Sequence, residues 1–287
     1  MKKNDPFNKI DLKLNWSKKD IEQRFGFHGG RFTTANSLFT FILALLLAGA
    51  FYSALIFGLR GVPDAKAFCD IFLERGVPTY FIVVFFCWSL AILFVKHSKL
   101  RAQREALMIK PVPVNPDFVL NRETANEVLL RLRSIADDTG HYVLLNRVDR
   151  ALSNLQNIGR IGDVSEILRS QAEYDENQLS SSFTLLNGFL WSTPVFGFVG
   201  TVLGLSQAVR GFGGTLQGAA DLSVLKGSLQ IVTGGLGVAF ETTLVALVCA
   251  LATQLLISAM QMRESRFLDE CTDYCHSYII SKLKLTA

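Results

Sequence analysis

The sequence predicts an all-α, polytopic membrane protein, with four transmembrane helices and helical extensions on the cytoplasmic side. Three observations carry this. Four long stretches lack charge, basic residues gather on one side of them, and the remaining segments are too polar to cross a bilayer. Residues 32–59, 76–95 and 177–209 contain no Asp, Glu, Lys or Arg, and 227–262 contains only Glu241. A helix needs about 20 apolar residues to cross the hydrocarbon core, and each stretch is long enough. The expected layout is a cytoplasmic N-terminal segment (1–35), a transmembrane hairpin (36–95) and a cytoplasmic helical region (96–182). A second pair of spans (183–262) and a cytoplasmic C-terminal helix (263–287) follow.

Orientation follows from the flanking basic residues. Lys2, Lys3, Lys9, Lys13, Lys18, Lys19, Arg24 and Arg31 precede the first span, and Lys96, Lys99, Arg101, Arg104 and Lys110 follow the second. Arg263, Arg266, Lys282 and Lys284 follow the fourth. The two other loops are poorer in base: Arg60, Lys66 and Arg75 lie near Asp64, Asp70 and Glu74, and Arg210 and Lys226 accompany Asp221. Both termini and the middle segment are therefore expected in the cytoplasm. The net charge of +4 is this positive-inside bias and needs no nucleic-acid partner. The lead of about 35 residues is far longer than the charged region of a signal peptide. It carries Ile10, Leu12, Leu14 and Trp16 in alternation with polar residues. Either it lies on the membrane surface, with Trp16 and Phe25 at headgroup level, or it is a loosely ordered basic tail.

Pro78 opens the second span, where a missing N–H costs little. Pro111, Pro113 and Pro116 end any helix continuing from it. Helical spacing then runs over 119–138 and 141–158, with turn signals at Thr139-Gly140 and Gly159. Asp163, with Glu166 three residues on, reads as an N-cap. One helix from there to Val209 would be about 70 Å long. Of the five cysteines, only Cys69 is expected on the oxidising side, so no intrachain disulfide is expected. Cys271, Cys275 and His276 fall short of a structural zinc set, and no metal site is expected.

The last two spans carry the chemistry. Pro194, Gly197, Thr201, Gly204 and Ala208 share one face of the third span; Ala239, Thr243, Ala246, Ala250 and Thr253 share one face of the fourth. Small faces let membrane helices approach closely, and on that reading Thr201 and Thr243 bond to nearby carbonyls. Alternatively the stripes line a cavity around a guest helix, and the hydroxyls meet an ion or a partner carboxylate. Glu241 is costly in a bilayer and marks a candidate ion path. Two residues from Thr243, it lies about 200° around the helix and cannot share that stripe. Thr242 falls between the two faces. Either Glu241 pairs within its own subunit towards the cytoplasmic domain, or the pore face is a different one.

The run Thr193-Pro194-Val195-Phe196-Gly197-Phe198-Val199-Gly200-Thr201-Val202-Leu203-Gly204 resembles the Pro-x-x-Gly-x-x-Gly-Thr-Val-x-Gly signature of the MotA/TolQ/ExbB proton-channel family. Gly235-Leu236-Gly237-Val238-Ala239-Phe240-Glu241-Thr242-Thr243-Leu244 resembles its second signature, Gly-(Ile/Leu)-x-x-Ala-(Leu/Phe)-x-x-Thr. The resemblance covers mainly 183–256, and the four-span layout is similar to that of MotA. It implies a subunit of a bacterial inner-membrane motor: a homo-oligomeric, pentameric ring around a single-span MotB/ExbD/TolR-like dimer whose Asp carries H+ or Na+. Thr201 and Thr243, with Thr242, would line the ion path, and Glu241 is a further candidate on it. Pro194, Gly197, Gly204, Ala239 and Ala246 would pack on partner helices. No cofactor other than the transported ion is implied. The sequence departs from the family in lacking a proline late in the fourth span and in placing Val238 where ExbB-type chains often have Glu. The process powered stays open. Two rivals are a non-conducting membrane scaffold and a small-solute carrier, although repeat symmetry and broken helices, which a carrier would show, are not seen. No phosphate loop, catalytic triad or metal cluster points to an enzyme.

Overall fold

The computed structural model describes residues 14–59, 65–113, 115, 118–153, 155, 161–215 and 222–284. Lys2, Lys3, Lys9, Ile10, Leu12 and Lys13 of the lead lie outside the described residues, as do Arg60, Asp64, Pro116, Ile158, Gly159 and Asp221. Ten α-helices are described: α1 (Trp16–Lys19), α2 (Ile21–Arg24), α3 (Ser37–Ser53), α4 (Lys66–Leu73), α5 (Val77–Met108), α6 (Arg122–Ile135), α7 (Val143–Ser153), α8 (Ile161–Ser182), α9 (Thr184–Thr215) and α10 (Leu222–Tyr278). Among the described residues, four helical stretches are long and apolar enough to cross a membrane: Ser37–Leu59, Val77–Met108, Gly162–Gly211 and Leu229–Lys282. The all-α, four-span fold class is therefore present. The chain divides into two compact units.

The first, an apolar unit, comprises Thr40–Leu93 and the described part of Thr184–Ser258. Aromatic side chains join its helices in sequence order. On α3, Phe41 lies 4.7 Å from Trp88 of α5, and the Trp88 indole N–H donates to Thr40 Oγ1 at 3.2 Å. Ala48, Val83 and Cys87 are buried together, flanked by Phe51, Tyr52 and Phe72. On its other side α5 meets α9, where Phe81 stacks on Phe196 at 4.9 Å and Phe85 on Phe189 at 5.2 Å. Spans one and two thus hold a line of interlocked rings as well as exposed residues such as Leu45, Leu46 and Phe94. Lipid tails are as apolar as these rings, so geometric fit rather than water exclusion joins the helices. The last turn of the first span, Ala54–Leu59, widens to a π-helix. Gly76 makes the turn between α4 and α5 with φ +88°, a conformation that favours glycine, and Pro78 follows at the second position of α5.

The second, a polar unit, is drawn from the described parts of Met1–Phe39, Phe94–Phe183 and Ala259–Ala287. Its helices are shorter than the spacing predicted. Asn121 caps α6 in a capping box with Thr124. Asp163 sits in the first turn of α8, which starts at Ile161, so it is not the N-cap; there it still complements the helix dipole. The long helix expected from Asp163 to Val209 is interrupted once, at Phe183, whose N–H donates to Ser180 at 3.2 Å. Phe183 is fully buried, and the Lys96 ammonium lies 4.2 Å from its ring centroid. The same ammonium donates to Ser182 at 2.8 Å and is 3.2 Å from Glu264. Arg147 and Asp175 form another buried pair at 2.6 Å.

The N-terminal lead, where described, is not a loose tail, and Trp16 is buried in the chain rather than at headgroup level, whereas Phe25 is exposed. Leu14 bridges to Ala136, and the Trp16 N–H donates to the Asp137 carboxylate at 3.0 Å. The Trp16 indole is buried edge-on against Tyr142 at 5.1 Å. Burial, then the neighbouring Asp137, pushes the Tyr142 phenol above its ordinary pKa. Asp20 and Glu22 are buried around Lys99, whose ammonium lies 2.5 Å from Glu22 and donates to Thr34 O at 2.7 Å. Alternation misled here because the buried side of this segment is another part of the chain. Trp16→Ala should therefore cost about 3–5 kcal/mol, visible as a lower melting temperature of the purified chain; an unchanged value would contradict the docking.

Candidate functional site between α9 and α10

The small residues of the third and fourth spans meet each other within one chain. A Cβ added at Gly197 would fall 2.5 Å from Ala246 Cβ and 3.4 Å from Thr243 Cα. At Gly204 it would lie 2.6 Å from Gly235 O and 2.7 Å from Ala239 N, and at Gly235 2.7 Å from Gly204 O. These are backbone atoms and cannot yield. The helices therefore touch main chain to main chain, as small residues at a membrane interface allow. Ala208, Ala239 and Ala246 are buried in this contact, and Ala250 and Thr253 are buried further along α10. Pro194 lies inside α9, which continues through it.

Two hydroxyls face each other across this contact. Thr201 Oγ1 and Thr243 Oγ1 are hydrogen-bonded to one another. Thr201 Oγ1 also lies 3.2 Å from Gly197 O and 3.3 Å from Ala239 O. Thr243 Oγ1 lies 3.2 Å and 3.1 Å from the same two carbonyl oxygens. The result is a cluster of four oxygens, two from each helix, that shares two hydroxyl protons besides the helical N–H groups on its two carbonyls. Such a cluster offers lone pairs to a proton donor or a small cation. Both threonines are half-buried, so the cluster stands at an edge of the helix pair.

The other candidates are placed differently. Thr242 is fully buried; its side chain packs on Gly200 and its hydroxyl donates to Val238 O in its own helix. The structure gives it a packing position rather than one beside the hydroxyl pair. Gly197, Gly204, Ala239 and Ala246 pack between α9 and α10 of a single chain, so this face is occupied without any partner helix. Glu241 is half-buried and accepts from Arg75 Nε at 2.6 Å. Its partner comes from the turn before α5 and not from the side of the chain expected in the cytoplasm.

Spacing alone did not select Gly200, Gly235 or Arg75. Both glycines stand inside the two quoted runs, so the signal was there but belongs to the neighbouring helix. Arg75 had only a weak signal, as a lone basic residue at the loop–span junction.

A family model described as the MotA/TolQ/ExbB proton channel family matches residues 142–272, which include α7, α8, α9 and most of α10. No curated protein and no solved structure matches the chain. The matched segment holds every residue of the hydroxyl cluster and both glycine contacts. Over that segment, the chain matches the family that its two glycine- and threonine-bearing runs resemble.

Proposed function

We propose that the chain is the ring-forming ion-channel subunit of a motor driven by ion-motive force. It would couple proton or sodium flow to rotation or other mechanical work through a single-span, MotB/ExbD/TolR-like partner. The observation that carries the reading is the four-oxygen cluster of Thr201, Thr243, Gly197 O and Ala239 O. Hydroxyls bonded across membrane helices also serve packing; the half-buried edge on which this cluster stands and the match to a proton-channel family favour the ion path. Thr201 and Thr243 would exchange the ion with a carboxylate of the partner. Thr242 would hold α10 against α9.

A second feature bears on assembly. Gly227, Gly234 and Gly237 have open space where a side chain would be, at i, i+7 and i+10 along one face of α10. That face, about 120–180° around α10 from Thr243, offers close approach to a further helix such as that of a neighbouring copy, and not to the helix that would meet the hydroxyls; the α9-facing glycines are already covered. The chain would sit in a bacterial inner membrane with both termini and the 96–182 region in the cytoplasm, as its basic residues suggest. One observation favours the scaffold instead: the expected partner-packing face is filled from within the chain.

The deciding experiment is cryo-EM of the chain purified from membranes with its associated proteins, alongside ion flux in proteoliposomes. The expected result is a five-fold ring with Thr201 and Thr243 directed at two central helices, and a current. A monomer, or a ring that is closed at its centre and conducts nothing, would give the case to the scaffold.

A further inference from the structure

Arg75 and Glu241 join α10 to the turn before α5 through side chains that the hydroxyl cluster does not use. Arg75 stands between α4 and α5, in the turn that Gly76 makes with φ +88°. Its Nε donates to Glu241 Oε2 at 2.6 Å, and the two side chains are 25% and 33% exposed, so the pair is shielded but not sealed. Glu241 is two residues from Thr243, about 200° around α10 from it. The pair therefore grips α10 from the side away from the four-oxygen cluster. On the other side, Gly235 and Ala246 seat α10 against Gly204 and Gly197.

We infer that Arg75 and Glu241 are positioning residues: their ion pair sets the rotation of α10 about its axis, and so aims Thr243 at Thr201. The inference rests on the ion-path reading above. Glu241 on this view carries no ion. Its charge is held by a guanidinium, which stays protonated at any physiological pH and cannot relay a proton. A helix held on only one side is free to turn, and a 20° rotation moves a side-chain oxygen by about 2 Å, at a radius of about 5–6 Å. Such a shift breaks a hydroxyl–hydroxyl contact. Neither residue touches the cluster, so their effect on ion flow is transmitted through the helix.

The test is a charge swap. Arg75→Gln, Glu241→Gln and the double variant R75E/E241R are made in the full chain and purified with its associated proteins. Ion flux is read with a pH-sensitive or sodium-sensitive dye in proteoliposomes, and melting temperature is read on the same samples. Each single variant should lower flux about tenfold or more and lower the melting temperature by about 2–4 °C. The swap should restore both, with flux within about threefold of the starting chain. Assembled swap variants that recover the melting temperature but not the flux would overturn the inference, since Glu241 would then act on the ion itself. Single variants indistinguishable from the starting chain would overturn it as well. If the starting chain shows no flux, the ion-path reading fails separately. The melting temperatures then decide whether the pair anchors α10: recovery in the swap supports the anchor, and no recovery removes it.

Discussion

Thr201→Val and Thr243→Val should each reduce ion flux to background while leaving the chain folded and assembled. Valine keeps the shape of threonine and removes one oxygen. Each hydroxyl lies near a carbonyl of its own helix, Gly197 O for Thr201 and Ala239 O for Thr243. Losing it leaves that carbonyl with its helical N–H partner, so the stability cost is about 1 kcal/mol. The cost to conduction is larger because the cluster loses a quarter of its oxygens and its only bond between side chains of the two helices. An apolar methyl would then face the proposed path, where an ion must shed water. The readout is flux in proteoliposomes together with the elution volume of the assembly. Normal flux in both variants would remove the hydroxyl pair from the mechanism. Thr201→Ser, which keeps the oxygen, should keep measurable flux. Thr242→Val should behave differently: flux should persist, because its hydroxyl is directed at Val238 O in its own helix.

Gly204→Val should prevent the helix pair from forming. Its Cβ would sit 2.6 Å from Gly235 O and 2.7 Å from Ala239 N, and both contacts are to backbone. The helices must separate by more than an ångström, which costs about 3 kcal/mol or more and dismantles the packing over Ala239 and Ala246. Little folded protein should be recovered from membranes, and what remains should be cleaved rapidly by protease. Gly237→Val is the matched contrast. Beyond the backbone of its own helix, no described atom lies within 4 Å of an added Cβ, so the single chain should fold and melt as before. If a partner helix docks on that face, the same substitution should release the partner on affinity purification. Equal damage from both substitutions would show that the α9–α10 contact is not the one described.

The membrane fold and the family were legible in the sequence because both depend on local pattern. Absence of charge over about 20 residues is a one-dimensional property with one physical meaning, the cost of charge in hydrocarbon. The spacing of Gly197, Thr201 and Gly204, and of Ala239, Thr243 and Ala246, placed each set on one helical face, since 3.6 residues per turn holds in any environment. Helix ends were less legible. Asp163 resembled a cap but lies inside the first turn, and the break at Phe183 has no glycine or proline to announce it. That break goes with a buried ring and a buried ammonium, contributed by segments 87 residues apart (183 − 96).

Periodicity fixes angles within a helix but does not say which neighbour a face meets. The stripes of α9 and α10 could have lined a cavity or closed on each other. Backbone contacts at Gly204 and Gly235 decide that they close, and this leaves Thr201 and Thr243 opposed at the edge. Glu241 showed its cost in the sequence but not its counter-ion, because Arg75 is 166 residues away and reaches it only through the turn at Gly76. Trp16 looked like a membrane-surface residue until Tyr142 and Asp137 were brought against it. In each case the sequence by itself determined the chemical demand: a close approach, a counter-charge, a place for a ring. Only the tertiary structure decided what meets it, since distant segments become neighbours through packing, which no local spacing records.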